Sequence, residues 1–380
     1  MNENAYNEKI RKVGNTLIQS YIDNNRVETG INGPYDDPET EVRNLAHLIV
    51  ISTIELEKYN RSELIPHIIN MSNRLLTMKN ENGTYCIRQK NGKDQSNGVI
   101  GHAWLVEGLI YAYKATEQIH FLREAERICR FHEFDKKNKL WLIPSKGTIR
   151  NIDYTFNHQL WYAASLAELL QYVRNEELKN QLDIYLSNLK KTLDVKNNGR
   201  ISHIIYKRPS MLKSIKLSIL RYKHSFDELL GRPNLRYREA GYHIFNLMAF
   251  ARLYKLYPNI DLFRSSKFLK TLKYVSEKEL SQMLISPKIE KDSTSNAEKY
   301  TTEEKSINIY GYPYNVPGFE LLYCRKVWGT LLDTNSVDNI LNQQFKNTWD
   351  DDTLMFGKRC HDKIDINYRV YEYYRYLELT

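Results

Sequence analysis

One unit recurs along the 380-residue chain: a turn with a short extended piece, a polar and aromatic loop, an apolar helix, then a more amphipathic helix. Three copies are strong. Their turns are "ENGTY" (81–85), "KNKLW" (137–141) and "NNGRI" (197–201). Asn82 precedes His102 by 20 residues and Asn138 precedes His158 by 20, while Asn198 and His243 stand 45 apart. The third copy therefore carries an insertion, and the three histidines are read as equivalent. Weaker copies lie in "TGINGPYDDPETEVRNLAHLIV", "SINIYGYPYNVPGFELLYCRKVWG" and "DKIDINYRVYEYYRYLEL".

The two kinds of helix differ in pattern. "AWLVEGLIYAY" and "LWYAASLAELL" are apolar around most of their circumference, as buried helices are. "IHFLREAERICRFHEF" and "EELKNQLDIYLSNLKKTL" place apolar residues every three or four positions with charges between, as one-sided helices do. Alternating buried and half-buried helices fit an open helical solenoid or a closed ring. Solenoid repeats run about 34–47 residues with short connections. The units here are longer, and the extra length always precedes the more buried helix. The expected fold is all-α: an (α/α)6 toroid of about six helical hairpins, with short β-hairpin-like loops at one face. The expected organisation is one domain over 1–380, with a basic insertion at 203–238 inside the third strong repeat.

In such a ring the buried helices run parallel, so the loops before them converge on one funnel. Their N-termini favour anions there. The residues gathered are Asp94, His102 and Trp104 from one unit, and Asp153, Tyr154, Asn157 and His158 from the next. Arg238, Glu239, Tyr242 and His243 come from the third and Tyr312 from the fifth. Aromatic faces stack on sugar rings, while carboxylates and amides bond their hydroxyls. Two opposed carboxylates perform acid–base work on a glycosidic bond, and Asp94 with Asp153 is the nearest such pair. Alternatively, His158 or His243 with a tyrosine abstracts a proton beside a uronate carboxylate, with Asn157 or an arginine neutralising the acid group. Each residue also has a plainer reading. A histidine at a core helix start bonds a neighbouring loop, Trp104 fills core, Asp153 caps the following helix, and Asp94 sits in a solvated turn.

The remaining features narrow the class. Hydrophobic residues make up 42% and charged residues 27%, ordinary for a globular chain. No apolar leader or run of 18 uncharged apolar residues is evident, and the four cysteines are scattered without a CxxC pair. These point to a reduced cytoplasmic setting. No Walker loop, HExxH or Cys/His cluster stands out, so neither a cofactor nor a metal is expected. The net charge of +9 attracts an anion, but no nucleic-acid module accompanies it and nucleic acid is not the expected partner. Between Lys207 and Arg238 there are nine Lys or Arg against two acids. The stretch 207–223 is read as an ordinary solvated helix packed on the toroid, as a lid over an acidic sugar, or as a peripheral membrane contact suited to a lipid-linked glycan.

The layout resembles the six-hairpin toroid enzymes of carbohydrate metabolism. Within them, "SNGVIGHAWLVEGLIYAY" is similar to the Arg-Gly-Gln-Ala-Trp helix start of unsaturated glucuronyl hydrolases. Gly101, Ala103 and Trp104 match, while His102 replaces the glutamine and Ile100 the arginine. The resemblance implies two catalytic aspartates on successive hairpins, at Asp94 and Asp153. The paired "GHAW" and "NHQLW" also resemble toroid proteins of surface-polysaccharide clusters and the helical domain of uronyl epimerases. The expected function is hydrolysis of an acidic, uronate-containing glycan in cell-surface polysaccharide metabolism. Catalysis falls to Asp153, Asp94 and His158, and the other funnel residues bind substrate. A lyase or uronyl epimerase using a His/Tyr pair, and a non-catalytic glycan-binding toroid, are the alternatives.

Overall fold

The computed structural model describes residues 3–144, 151–205, 234–285 and 307–380. Six helices form an inner ring: α2 (Glu41–Tyr59), α4 (Ile100–Thr116), α6 (Phe156–Leu169), α9 (His243–Leu256), α12 (Pro317–Trp328) and α15 (Tyr371–Leu377). Each packs on the next, and α15 packs back on α2, so the ring is closed. Six more lie outside it: α1 (Glu3–Asn24), α3 (Ile65–Thr77), α5 (Ile119–Phe131), α7 (Glu176–Thr192), α10 (Ser266–Tyr274) and α13 (Thr334–Thr348). Among the described residues, shorter helices α8 (Asn234–Gly241), α11 (Lys278–Ile285) and α14 (Asp365–Tyr368) complete the set. The toroid expected from the repeat is therefore present.

The patterns follow from position. An inner helix touches two ring neighbours, an outer helix and the lumen, so every residue of α4 from Ile100 to Ala112 is buried. The outer helix α3 buries one stripe, Ile68, Met71, Ser72 and Leu75. Gly108 sets the spacing between α2 and α4: a Cβ there would stand 2.9 Å from both the Cα and Cβ of Ala46. Gly108→Val is expected to destabilise the fold by roughly 1–3 kcal/mol through overpacking, read as a lowered urea midpoint with an unchanged slope.

At the C-terminal end of the ring, charges from four inner helices close the lumen. Arg252 and Arg375 each bond Glu168 at 2.7 Å, and both pair with Glu107. At the N-terminal end, short pieces of strand brace the inner-helix starts. β1 (Phe134–Asp135), β2 (Leu140–Ile143) and β3 (Asn151–Ile152) form an antiparallel sheet before α6, with Phe134 opposite Trp141 and Leu142 opposite Ile152. β4 (Trp349–Asp350) and β5 (Met355–Phe356) pair before α14. Single bridges, Lys79 with Tyr85 and Val195 with Ile201, stand in the corresponding places of the neighbouring units.

The equivalence of the three histidines needs correction. His102 Nε2 lies 3.3 Å from the Tyr85 N–H, and His243 Nδ1 accepts the Ile201 N–H at 3.4 Å. In the middle unit the corresponding residue is Gln159, which bonds both the N–H and the carbonyl of Trp141. His158 stands one residue earlier, which turns it by about 100° around the helix, away from the strand and into the funnel. Among the described residues no helix is long and apolar enough to cross a membrane. The stretch 207–223 lies outside the described residues, as does 206–233 of the basic insertion.

Candidate active site

The funnel holds a cavity of about 340 Å³ lined from all six inner-helix starts. Asn32 and Tyr35 precede α2, and Arg88, Lys93, Asp94 and Trp104 lie before or on α4. Asp153, Asn157 and His158 flank the start of α6, and Arg238, Tyr242 and Phe245 the start of α9. Tyr314 and Asn315 precede α12, and Arg369 precedes α15. Seven of the twelve site residues expected from the sequence meet here: Asp94, Asp153, Asn157, His158, Trp104, Arg238 and Tyr242.

At the centre is a carboxylate–imidazole pair. His158 Nδ1 lies 2.8 Å from Asp153 Oδ2. The same oxygen accepts the Val99 N–H at 3.0 Å, and Oδ1 accepts the Thr155 N–H at 3.0 Å. Asp153 is 4% exposed. Burial raises its pKa, but the facing His158 and the two backbone donors outweigh it and hold the carboxyl down to about 2. Asp153 is thus an ionised acceptor that keeps a proton on His158 Nδ1. That leaves Nε2 as the basic nitrogen of a ring that is 20% exposed. Gly98 makes room for the pair: at φ +67 it holds a turn in which a Cβ would lie 2.1 Å from Asp153 Oδ2 and 2.5 Å from His158 Nδ1.

Asp94 is engaged differently. Its Oδ1 accepts from Ser96 Oγ at 2.9 Å and the Gly98 N–H at 2.7 Å, and its Oδ2 takes Arg88 Nη2 at 2.7 Å. Asp94 and Asp153 are therefore anchored on consecutive amides of one turn, with every oxygen hydrogen-bonded.

Tyrosines also line the cavity. Tyr35 and Tyr242 share a hydrogen bond of 3.0 Å between their hydroxyls, and Tyr314 donates to Asn32 Oδ1 at 2.6 Å. Burial raises the pKa of Tyr35 and Tyr242, so both stay protonated. Trp161 stacks on the cavity residue Phe245 at 4.1 Å, bracing the floor from within the core.

The other expected residues lie behind the cavity. His102 bonds the Tyr85 backbone and meets His132 at 2.9 Å, and His243 bonds the Thr271 carbonyl at 3.0 Å. Both brace loops against the outer layer. Glu239 is buried, pairs with Arg200 at 3.0 Å and accepts the His203 N–H at 3.3 Å. Tyr312 is fully buried, its carbonyl bonded by Gln344. Tyr154 is half-buried against the core, and its carbonyl accepts the Ile205 N–H. Sequence reasoning missed His203. The Phe156 N–H bonds its carbonyl at 2.9 Å, which ties it to the loop that carries Asp153. Burial, with Arg238 nearby, holds its imidazole neutral.

No family model matches the chain. Over 98% of its length it superimposes on cellobiose 2-epimerase from Bacillus thermoamylovorans, covering 99% of that chain with a TM-score of 0.63 at 10% identity. An unsaturated glucuronyl hydrolase specific for heparin matches over 98% of this chain and 96% of its own, with a TM-score of 0.56 at 10% identity. Both share the toroid. A much nearer relative in sequence is archaeal glycosylation protein Q of Haloferax volcanii, 30% identical over 368 residues and 90% of each chain. At that identity and coverage, the chain belongs to the family of archaeal glycosylation protein Q.

Proposed function

We propose that the funnel is a proton-transfer site acting at a carbon of a glycan sugar, as an epimerase or lyase does. The observation that carries this is the Asp153–His158 pair opening into a tyrosine-lined cavity. In the proposed step a C–H bond beside a carbonyl or carboxyl group breaks. The proton passes to His158 Nε2 and the electron pair moves into the adjacent oxygens. In epimerisation the Tyr35–Tyr242 hydroxyl pair gives a proton back to the carbon and regains one from water, while the partly buried His158 releases its own to water. His203 offers a neutral ring nitrogen for a substrate hydroxyl.

Hydrolysis by Asp94 and Asp153 has less support. A glycosidase acid must hold a proton near neutral pH, whereas Asp153 is held down to about 2 and Asp94 is paired with Arg88. The relative's name ties that protein to glycosylation. The substrate of this chain is accordingly taken to be an acidic or lipid-linked glycan of such a process, met in the cytoplasm or at a membrane face.

Nuclear magnetic resonance of uronate-containing oligosaccharides incubated with the protein separates the readings. Epimer or unsaturated-sugar signals that require His158 are expected. New saturated reducing ends that require Asp94 would replace this reading by the hydrolase.

A further inference from the structure

Among the described residues, four Arg or Lys side chains line the cavity: Arg88, Lys93, Arg238 and Arg369. Three have carboxylate partners inside the protein. Arg88 pairs with Asp37 at 3.0 Å and Asp94 at 2.7 Å, and Lys93 with Asp37 at 2.8 Å. Arg369 pairs with Glu320 at 3.0 Å and with Glu372. Arg238 has no carboxylate partner among the described residues. Its Nη2 bonds the Tyr310 hydroxyl at 3.1 Å, and its Nε is buried without a hydrogen bond. The rings of Tyr35 and Tyr310 lie 5.6 and 5.1 Å from the guanidinium. Such contacts attract a cation but do not cancel its charge. A largely buried guanidinium without an anion is costly.

We infer that Arg238 is the carboxylate-recognition residue of the cavity, and that the sugar it receives is a uronate. This rests on the proton-transfer reading and names its substrate class. The bare Nε is one tooth of the guanidinium fork, which with a neighbouring Nη fits a carboxylate side-on. The single charge of Arg238 matches one carboxylate, whereas a phosphate monoester brings roughly −1.5 to −2. The size agrees: about 340 Å³ lies at the small end of ligand sites, ~300–1,000 Å³. The cavity thus holds the end of a glycan rather than a long stretch. The inference also gives Arg238 a part in the step, since neutralising the carboxylate makes the C–H beside it more acidic. Arg238 is then a substrate-binding residue, and His158 remains the base.

The test is calorimetric titration of the full chain with D-glucuronate, D-galacturonate, glucose, galactose and inorganic phosphate. Wild type, Arg238→Gln, Arg238→Lys and His158→Asn are compared. A uronate is expected to bind wild type, and Arg238→Gln to weaken it by about ten-fold or more. Arg238→Lys is expected to recover part of the loss. Arg238→Lys also answers for folding, since it keeps the charge if the glutamine variant is unstable. His158→Asn is expected to keep uronate binding while losing turnover. Neutral sugars binding as well as uronates, phosphate binding in place of uronates, or uronate affinity indifferent to Arg238 would each overturn the inference. Uronate binding that needs Arg238, without turnover that needs His158, would instead overturn the proton-transfer reading alone.

Discussion

Asp153→Asn is expected to lower turnover roughly 10²–10⁴-fold, the range associated with losing a positioned acid–base group. The reason is the ring nitrogen that carries the proton. With a carboxylate at 2.8 Å, His158 Nδ1 must donate, so the lone pair of the neutral ring lies on Nε2. An asparagine that turns its amide N–H toward Nδ1 keeps its oxygen on the Thr155 N–H. Nδ1 then accepts, the proton moves to Nε2, and the base is lost without loss of the ring. The Val99 N–H, which shared the oxygen facing His158, also loses its acceptor, costing about 1–2 kcal/mol. Turnover and melting temperature measured together distinguish this from unfolding: turnover should collapse in a protein that still melts cooperatively. A variant with near wild-type turnover would place the base elsewhere.

Acidification is expected to destabilise the protein over two pH windows. His102, His132 and His243 are fully buried, and burial pushes their pKa values down to about 4, 3 and 3. Each carries a backbone carbonyl contact that partly offsets burial, and Arg127 beside His102 and Arg200 beside His243 push the same way as burial. The unfolded chain protonates histidine near ~6.5 while the folded one resists. Stability is therefore whole above pH ~6.5 and falls as pH drops from there toward the folded values. His102 and His132 share a hydrogen bond and titrate as a pair. Two such units contribute a loss on the order of 5 kcal/mol by pH ~4, comparable with the whole stability of many domains. Asp153 acts in a second window. Its folded pKa is lowered, so its contribution is present above ~3.9 and disappears as pH falls through about 2. Urea unfolding at intervals between pH 7.5 and 3 should show the first decline below pH 6.5, and His243→Gln should flatten part of it. Stability that stays level to pH 4.5 would mean these imidazoles are not neutral in the core.

The ring was legible in the sequence because burial leaves a simple mark. A helix surrounded on all sides, such as Ile100–Ala112, has almost no polar residue to interrupt it. A helix on the outside, such as α3, must alternate. The funnel followed from topology, and seven of its residues followed from lying at helix starts. What was hidden is geometry finer than one residue. Gln159 and His102 serve the same purpose, bonding a strand-like turn, since an amide and an imidazole both present a donor and an acceptor. Matching histidine to histidine therefore misaligned the units by one position. Asp94 and Arg88 lie six residues apart in a turn, and nothing in the sequence marks them as partners. His203 reaches the cavity through a backbone pairing across the chain, between Thr155 and Ile204, that leaves no local pattern.

The central claim is that His158, poised by Asp153, moves a proton at a sugar carbon. The direct measurement is deuterium incorporation into a uronate-containing oligosaccharide incubated with the protein in D2O, followed by mass spectrometry. The account predicts, with wild type, one carbon-bound deuterium beside the carboxylate for epimerisation or an unsaturated sugar for elimination, and loss of either product in His158→Asn. Cleavage of the glycan without any carbon-bound deuterium, undiminished in His158→Asn, would contradict it.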